Sequence, residues 1–414
     1  MVSYDVEWYH HLPSHVKEIL GRLESNGHKA YVVGGSVRDL WLGTKPKDFD
    51  LVSDASPEQI EALFPKTLDV GRSFGIMIVV CPEGPVEIAR FRTDGAYTDG
   101  RHPNEVTFTN PEEDARRRDF TINALFYELG TEKVIDYVGG VDDLRAQKIR
   151  TVGEARERFA EDSLRMLRAV RFCAQLPSFT LDPAVNAAIQ ELAPRLGLVS
   201  RERLSQEIFR ILQSPRPSLG LLGLVNANLW EQIFGKSPPA ENALLRFDAL
   251  APLYAGTFGE APSLALPLAG LEAWVKNFSA EEKFLLLRGD KSVLPEIARC
   301  RAALSRETFA DLAEKKSIVG SKGFPEAFTI HSCENPSLAE EFLSIPAWRA
   351  EQEKLGKLKP APLLKGADLL AMGIPGGPEI KRILELVYRA QLNELISDVE
   401  SAQYLAQSER LKNP

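Results

Sequence analysis

The chain has 414 residues, enough for about three domains, and 44% of them are hydrophobic, with 20 Phe and 5 Trp, which excludes a disordered polymer. Lys and Arg total 50 against 58 Asp and Glu, a net charge of -8, and that balance argues against non-specific coating of nucleic acid, which calls for a basic footprint. No stretch approaches the roughly 18–20 apolar residues of a membrane span, residues 1–5 carry no signal-peptide features, and Cys81, Cys173, Cys300 and Cys333 form no CxxC pair, so a cytoplasmic protein without disulfides or structural zinc is expected.

In chain order, a helix is predicted over 13–25, strands over 30–33 and 49–52, and a helix over 57–64. Strands follow over 76–80, 86–91 and 106–108, then a helix over 121–128 and a strand over 134–137. The strands are rich in Val, Ile and Phe and bounded by Gly, Pro, Asn and Asp. From about residue 153 the β signal fades. Helical patterns cover 155–175 as one long helix, 183–193, 203–213 and several Leu/Ala-rich segments up to 407. Joints are expected at 212–217, 235–239, 251–263 and 357–362, where Pro, Gly and Ser cluster. The fold class is α+β: a small mixed sheet followed by an all-α remainder.

The motifs begin at Tyr31-Val32-Val33-Gly34-Gly35-Ser36-Val37-Arg38-Asp39. A strand enters a Gly34-Gly35-Ser36 turn and a helix follows. Glycine lets backbone approach an anion, and a helix start offers free N–H groups. Arg38 can reach the same phosphates. A plain turn is the alternative. Asp48-Phe49-Asp50 then opens a strand, where alternate residues share a face. Asp48 and Asp50 would present paired carboxylates with Phe49 in the core, a donor set suited to Mg²⁺. Two solvated acids on an exposed strand are the alternative. Glu87, in Val86-Glu87-Ile88-Ala89-Arg90-Phe91-Arg92, can complete the cluster from a neighbouring strand; otherwise it pairs with Arg90 or Arg92.

Three arginines precede an acid in Arg116-Arg117-Arg118-Asp119-Phe120-Thr121. Arg118 can take a nucleotide phosphate and Asp119 a ribose hydroxyl; alternatively Asp119 or Thr121 caps a helix. Asp162, Arg165, Arg168 and Arg171 recur every three residues beside an apolar Leu164, Leu167, Val170 stripe. One acid and three planar cations can read a base edge and grip a triphosphate. A solvated, ion-paired face is the alternative.

Together GGSVRD (34–39), DFD (48–50), VEIARFR (86–92), RRDFTINAL (117–125), DYVGGVDDL (136–144) and EDSLRMLRAVRF (161–172) resemble the class II tRNA nucleotidyltransferase/poly(A) polymerase family, in order and spacing over about residues 28–215. The resemblance implies a polymerase-β-like catalytic head at 1–150, a base-recognising helical neck at 151–215, a helical body at 216–350 and a tRNA-binding tail at 351–414. It gives Asp48 and Asp50 the metal, Glu87 the third carboxylate, and Gly34, Gly35, Ser36 and Arg38 the triphosphate. It gives Arg118 and Asp119 the sugar-phosphate, Asp162 and Arg165 the incoming base, and Arg168 and Arg171 its phosphates.

Mg²⁺ is the implied cofactor. CTP, ATP and a tRNA gripped at its acceptor end and elbow are the implied partners, with no membrane and either monomer or homodimer. The implied reaction is template-independent CCA addition with pyrophosphate release; poly(A) or CC-only addition is the alternative. Segment 92–106 resembles the loop of enzymes that add a whole CCA end. Segment 365–380, a helix, a Gly/Pro turn and a helix, resembles the tail of such enzymes.

Overall fold

The computed structural model describes residues 1–94, 106–235, 237–260, 263, 265–274, 293–306, 308–338 and 340–412. The chain divides into two compact units, Met1–Pro238 and Pro239–Pro414. Among the described residues no helix is long and apolar enough to cross a membrane.

The first unit opens with β1 (Val2–Asp5), α1 (Ser14–Ser25), β2 (Ala30–Val33), α2 (Gly35–Trp41), β3 (Asp50–Ser53) and α3 (Pro57–Leu63). Next come β4 (Thr67–Gly71), β5 (Ile76–Cys81), β6 (Gly84–Arg90), β7 (Arg92–Asp94) and β8 (Val106–Phe108). Then follow α4 (Pro111–Arg117), β9 (Leu125–Glu128), β10 (Lys133–Asp136), α5 (Gly140–Ala146) and β11 (Lys148–Ile149). The neck region carries α6 (Ala155–Glu161), α7 (Leu164–Gln175), β12 (Thr180–Leu181), α8 (Pro183–Leu192), α9 (Arg201–Leu212), α10 (Pro217–Asn226) and α11 (Trp230–Phe234).

The main sheet has eight strands in the order β1-β10-β9-β2-β3-β6-β5-β4. All its pairs are antiparallel except β3–β6. Val33, Val52, Phe91, Ala124 and Phe126 form one face of its core. Local chemistry explains several boundaries. Ser56 caps α3 in a reciprocal box with Gln59, and Pro57 occupies the first turn, where no N–H is needed. Asn110 caps α4 through the Glu113 N–H at 3.0 Å.

Three expectations change. Residues 121–128 are not a helix: one 3₁₀ turn at Thr121–Asn123 leads into β9, a central strand whose Phe126 and Tyr127 are fully buried. The helix expected over 155–175 breaks at Asp162, whose backbone is extended (φ -144°, ψ 105°). Asp162 Oδ1 accepts the Leu164 N–H at 3.0 Å and starts α7 afresh. A helix, Phe247–Phe258, runs through Pro252 and fills the first half of the joint expected at 251–263. Residues 95–105, the core of the CCA-type segment, lie outside the described residues; its two stems, β7 and β8, pair antiparallel.

The second unit is helical throughout its described residues. The helices Val293–Leu304 and Phe324–Glu334 pack together, and Phe328 stacks on Phe342 with ring centroids 5.4 Å apart. Helices Gly366–Ala371, Pro378–Leu392 and Val399–Lys412 enclose a smaller core of Leu369, Ile374, Ile383, Val387 and Ala402.

Candidate active site

The acidic part of the site forms where β2 ends and β3 begins, beside the middle of β6. Val33, the last residue of β2, pairs with Asp50, the first of β3. Leu51 pairs with Ile88 of the parallel β6, so Asp50 and Glu87 are neighbours one step back along that register. Leu51 and Ile88 are buried, whereas Asp50 and Glu87 face outward on the shared exposed side. Asp48 precedes the strand and is exposed; Phe49 is half-buried rather than in the core.

These acids share one field. Burial against the protein raises the Asp50 carboxyl above its ordinary value, Asp48 raises it further, and Arg118 opposes both. Burial also raises Glu87, followed by Asp50; Arg92 opposes and Asp48 adds. Like charges crowded this way favour a cation between them. Among the described residues no three His, Cys, Asp or Glu side chains converge into a closed metal cluster. The donors that Asp48, Asp50 and Glu87 offer are hard carboxylate oxygens. That fits a divalent ion held jointly by protein and substrate, and it does not fit a sealed structural metal.

Cationic groups surround this end. At Gly34 the backbone turns with φ 74°, a conformation side chains rarely adopt. A Cβ there would sit 3.5 Å from Arg118 Nη1. Ser36 Oγ donates back to the Val33 carbonyl at 2.8 Å and closes the turn. A Cβ on Gly35 would lie 3.5 Å from Arg38 Nη2. Arg38 is held by Asp39 (2.9 and 2.7 Å) and by Asn123 Oδ1 (2.8 Å), and its guanidinium lies over the Phe172 ring.

Arg118 donates to Asp114 Oδ2 at 3.1 and 2.9 Å, and Arg117 to Asp114 Oδ1 at 2.9 and 2.7 Å. Asp114 is completely buried. Burial alone would raise its carboxyl, but Arg118 and then Arg117 outweigh it and hold the group below its usual value.

The neck continues the same wiring. Asp119 Oδ2 accepts from Arg168 Nε at 2.7 Å, and Oδ1 accepts the Phe120 N–H at 2.9 Å. Burial would raise Asp119, but Arg168, with a smaller part from Arg165, holds it low. Asp162 is gripped by Arg203 of α9 at 3.2 and 2.7 Å. Arg165 bonds the Arg158 carbonyl at 3.1 Å and pairs with Glu161. Arg171 Nε lies 2.7 Å from Glu207 Oε2, an ion pair off the N–H axis, and Arg171 Nη1 donates to Gln175 at 2.9 Å.

The structure thus brings Asp48, Asp50, Glu87 and Arg118 into one electrostatic group. Asp119 and Arg168 meet directly, and Asp162 and Arg165 follow at the break between α6 and α7. Asp162 is held by Arg203 and Arg165 by Glu161, and the Arg165 N–H donates to the Asp162 carbonyl at 3.0 Å.

Several supporting residues escape a motif reading. Asn123 and Asp114 sit inside or beside the RRDFTINAL run, and only their buried bonds reveal them. The DYVGGVDDL run is scaffold. Asp136 accepts three backbone N–H groups, from Val138, Gly139 and Val141, each at 2.9 Å. A Cβ on Gly140 would meet the Thr121 carbonyl oxygen at 2.2 Å. Asp143 accepts from Thr121 Oγ1 at 2.5 Å and Arg150 Nε at 2.9 Å. This run therefore docks α5 directly beneath the Arg118–Asn123 turn.

Comparison with known proteins agrees with this geometry. Residues 30–150 match the family described as "Poly A polymerase head domain", and residues 178–243 match "Probable RNA and SrmB- binding site of polymerase A". The chain is 35% identical over 413 residues to the CCA-adding enzyme of Geobacillus stearothermophilus, spanning 95% of this chain and 96% of that one. It is 43% identical over 227 residues to the CCA-adding enzyme of Bacillus subtilis (strain 168), spanning 55% and 57%. The crystal structure of the Bacillus stearothermophilus CCA-adding enzyme in complex with CTP superimposes with a TM-score of 0.78 at 29% identity, covering 96% and 97%. Enzymes of this kind work with a divalent metal. This chain belongs to the CCA-adding enzymes, on the class II tRNA nucleotidyltransferase/poly(A) polymerase branch.

Proposed function

We propose that this chain adds C, C and A to the tRNA 3′ end from CTP and ATP, without a nucleic-acid template and with release of pyrophosphate. One observation carries the reading: Asp50 and Glu87 stand side by side in the field of Arg118 and Arg92, in the same unit as the arginine–carboxylate pairs Arg118–Asp114, Arg168–Asp119 and Arg203–Asp162.

Asp48 and Asp50 would hold Mg²⁺, with Glu87 beside them. Bound there, the cation would polarise the α-phosphate and ease deprotonation of the attacking 3′ hydroxyl. The new bond joins that oxygen to the α-phosphorus, and the bond to pyrophosphate breaks. The Gly34-Gly35-Ser36 turn, with Arg38, would lie along the triphosphate. Arg118 and Asp119 would take the sugar-phosphate, and Arg168 and Arg171 would balance phosphate charge.

Asp162 and Arg165 would select the base. Cytosine and adenine both offer an exocyclic amine beside a ring-nitrogen acceptor, which complements one acceptor and one donor. Uracil and guanine present a carbonyl where the amine would be. A division into head 1–150, neck 151–215, body 216–350 and tail 351–414, with tRNA along the tail, and a cytoplasmic setting complete the reading.

The test is product analysis with purified protein, Mg²⁺ and tRNAs ending before, within and after CC. The expected products end in CCA and stop. An A-only tail of indefinite length, or arrest after CC, would overturn the assignment.

A further inference from the structure

Asp162 sits where no helix controls it, in the extended break between α6 and α7. Its carboxylate is nonetheless fully oriented. Oδ1 accepts the Leu164 N–H at 3.0 Å and Arg203 Nη1 at 3.2 Å, and Oδ2 accepts Arg203 Nη2 at 2.7 Å. The two-pronged grip fixes the plane of the carboxylate as well as its position. A carboxylate offers about four acceptor directions. Oδ2, which takes one of these three bonds, is the oxygen suited to accept an N–H of an exocyclic amine.

Arg203 comes from α9, far along the chain. Glu207, one turn further on the same face, lies against Arg171 of α7 at 2.7 Å and accepts from Arg210 at 3.0 Å. Glu207 is almost wholly buried, and Leu204, Ile208 and Ile211 anchor the helix beside it. So α9 presents a positive then a negative charge to a segment that presents Asp162 then Arg171. The Glu207–Arg171 contact fixes the register of α9 against α7, and the register fixes Arg203 against Asp162.

We propose that Arg203 is a positioning residue for nucleotide choice: from α9 it orients the Asp162 carboxylate so that Oδ2 meets the amine of cytosine or adenine. The inference rests on Asp162 facing the base. A merely structural ion pair would affect all nucleotides alike. A positioning pair affects discrimination.

The experiment uses the full chain, tRNA lacking its terminal nucleotides, and CTP, ATP and UTP in separate reactions. Arg203→Gln is expected to lower the kcat/KM ratio of CTP over UTP about tenfold, the value of one charge-assisted bond. The loss should lie mainly in KM for the nucleotide, with KM for tRNA unchanged. Arg203→Lys keeps the charge but not the planar fork, and it should recover part of the ratio. It also carries the comparison if the glutamine variant unfolds. An equal loss for CTP, ATP and UTP, or no change in the ratio, overturns the proposal. Asp162→Asn, measured alongside, separates the two layers. If it relaxes selection and Arg203→Gln does not, the role of Arg203 falls alone. If it leaves selection untouched, base reading by Asp162 falls, and the proposal with it.

Discussion

The two units use buried charge for different ends. In Met1–Pro238, carboxylates hold arginines within the sequence motifs: Asp114 holds Arg117 and Arg118, Asp119 meets Arg168, and Asp162 meets Arg203. In Pro239–Pro414, charges fasten helix to helix. Lys316, almost fully buried, bonds Glu394 at 2.9 Å. Glu334 accepts from Trp274 at 2.9 Å and Arg301 at 2.8 Å, and Glu326 accepts from Ser263 at 3.1 Å. On the proposed function, the same interaction aims side chains at chemistry in one unit and supplies packing in the other. Substitutions can therefore separate activity from stability.

The sharpest separation is Asp50→Asn. With Asp50 holding the metal as proposed, its loss should cut nucleotide addition by roughly 10³-fold, a matter of several kcal/mol. Thermal unfolding should hold steady or improve slightly, because burial and Asp48 both disfavour the charge. A large drop in Tm would move Asp50 into the packing class. Asp114→Ala is next and should affect both readouts. It strands two arginines at a fully buried site, a break that costs about 3–5 kcal/mol. Calorimetry and single-turnover addition would check it together.

Acid titration gives a graded effect within the first unit. Asp50 and Glu87 are raised, so they take up protons early on acidification, and metal affinity should fall from above the ordinary carboxylate range of about 4. Asp114 and Asp119 are lowered, so their stabilisation is present above their unfolded values and disappears only as pH falls through the lower folded values. Metal binding followed by calorimetry, beside circular dichroism, should show metal lost before fold. The reverse order would break the distinction.

Lys316→Ala tests the second unit. Tm should fall by a few degrees while CTP affinity, read by titration, stays unchanged. The smallest effect is Glu112→Ala, an exposed partner of Arg116 on α4. It should leave both melting and activity at the parent level.

The sequence reading succeeded where pattern and position agree. Val/Ile alternation marks β5 and β6, and the Pro57 start marks α3. Asp48, Asp50 and Glu87 stand in short runs that mark them as candidates in the sequence, and the structure sets Asp50 beside Glu87. It failed where tertiary context overrides local preference. Leu125–Glu128 follows a turn that reads as a helix start, yet β2 and β10 on either side make it a strand. The break at Asp162 hides among Ala, Glu, Leu and Arg, all good helix formers. Arg203 reads in the sequence as one of several arginines near the expected head–neck cleft, but its partner stays hidden because it lies 41 residues upstream. The edge strands β1 and β4 of the mixed sheet escape the sequence because they carry weak signals of their own.

The single parallel pairing, β3 with β6, has a consequence for how the molecule is made. Asp50 and Glu87 become neighbours only after α3, β4 and β5 have been laid down and the chain has returned. Such a non-local contact forms slowly. A nascent or unfolded chain keeps Asp48 close to Asp50 but has no Glu87 beside them, so a divalent ion held as proposed would bind the folded chain more tightly than the unfolded one. At about a hundredfold excess over its dissociation constant, such a ligand adds up to about 2.7 kcal/mol to stability. The metal content of the cell then bears on how much of this protein stays folded, quite apart from how fast each molecule turns over.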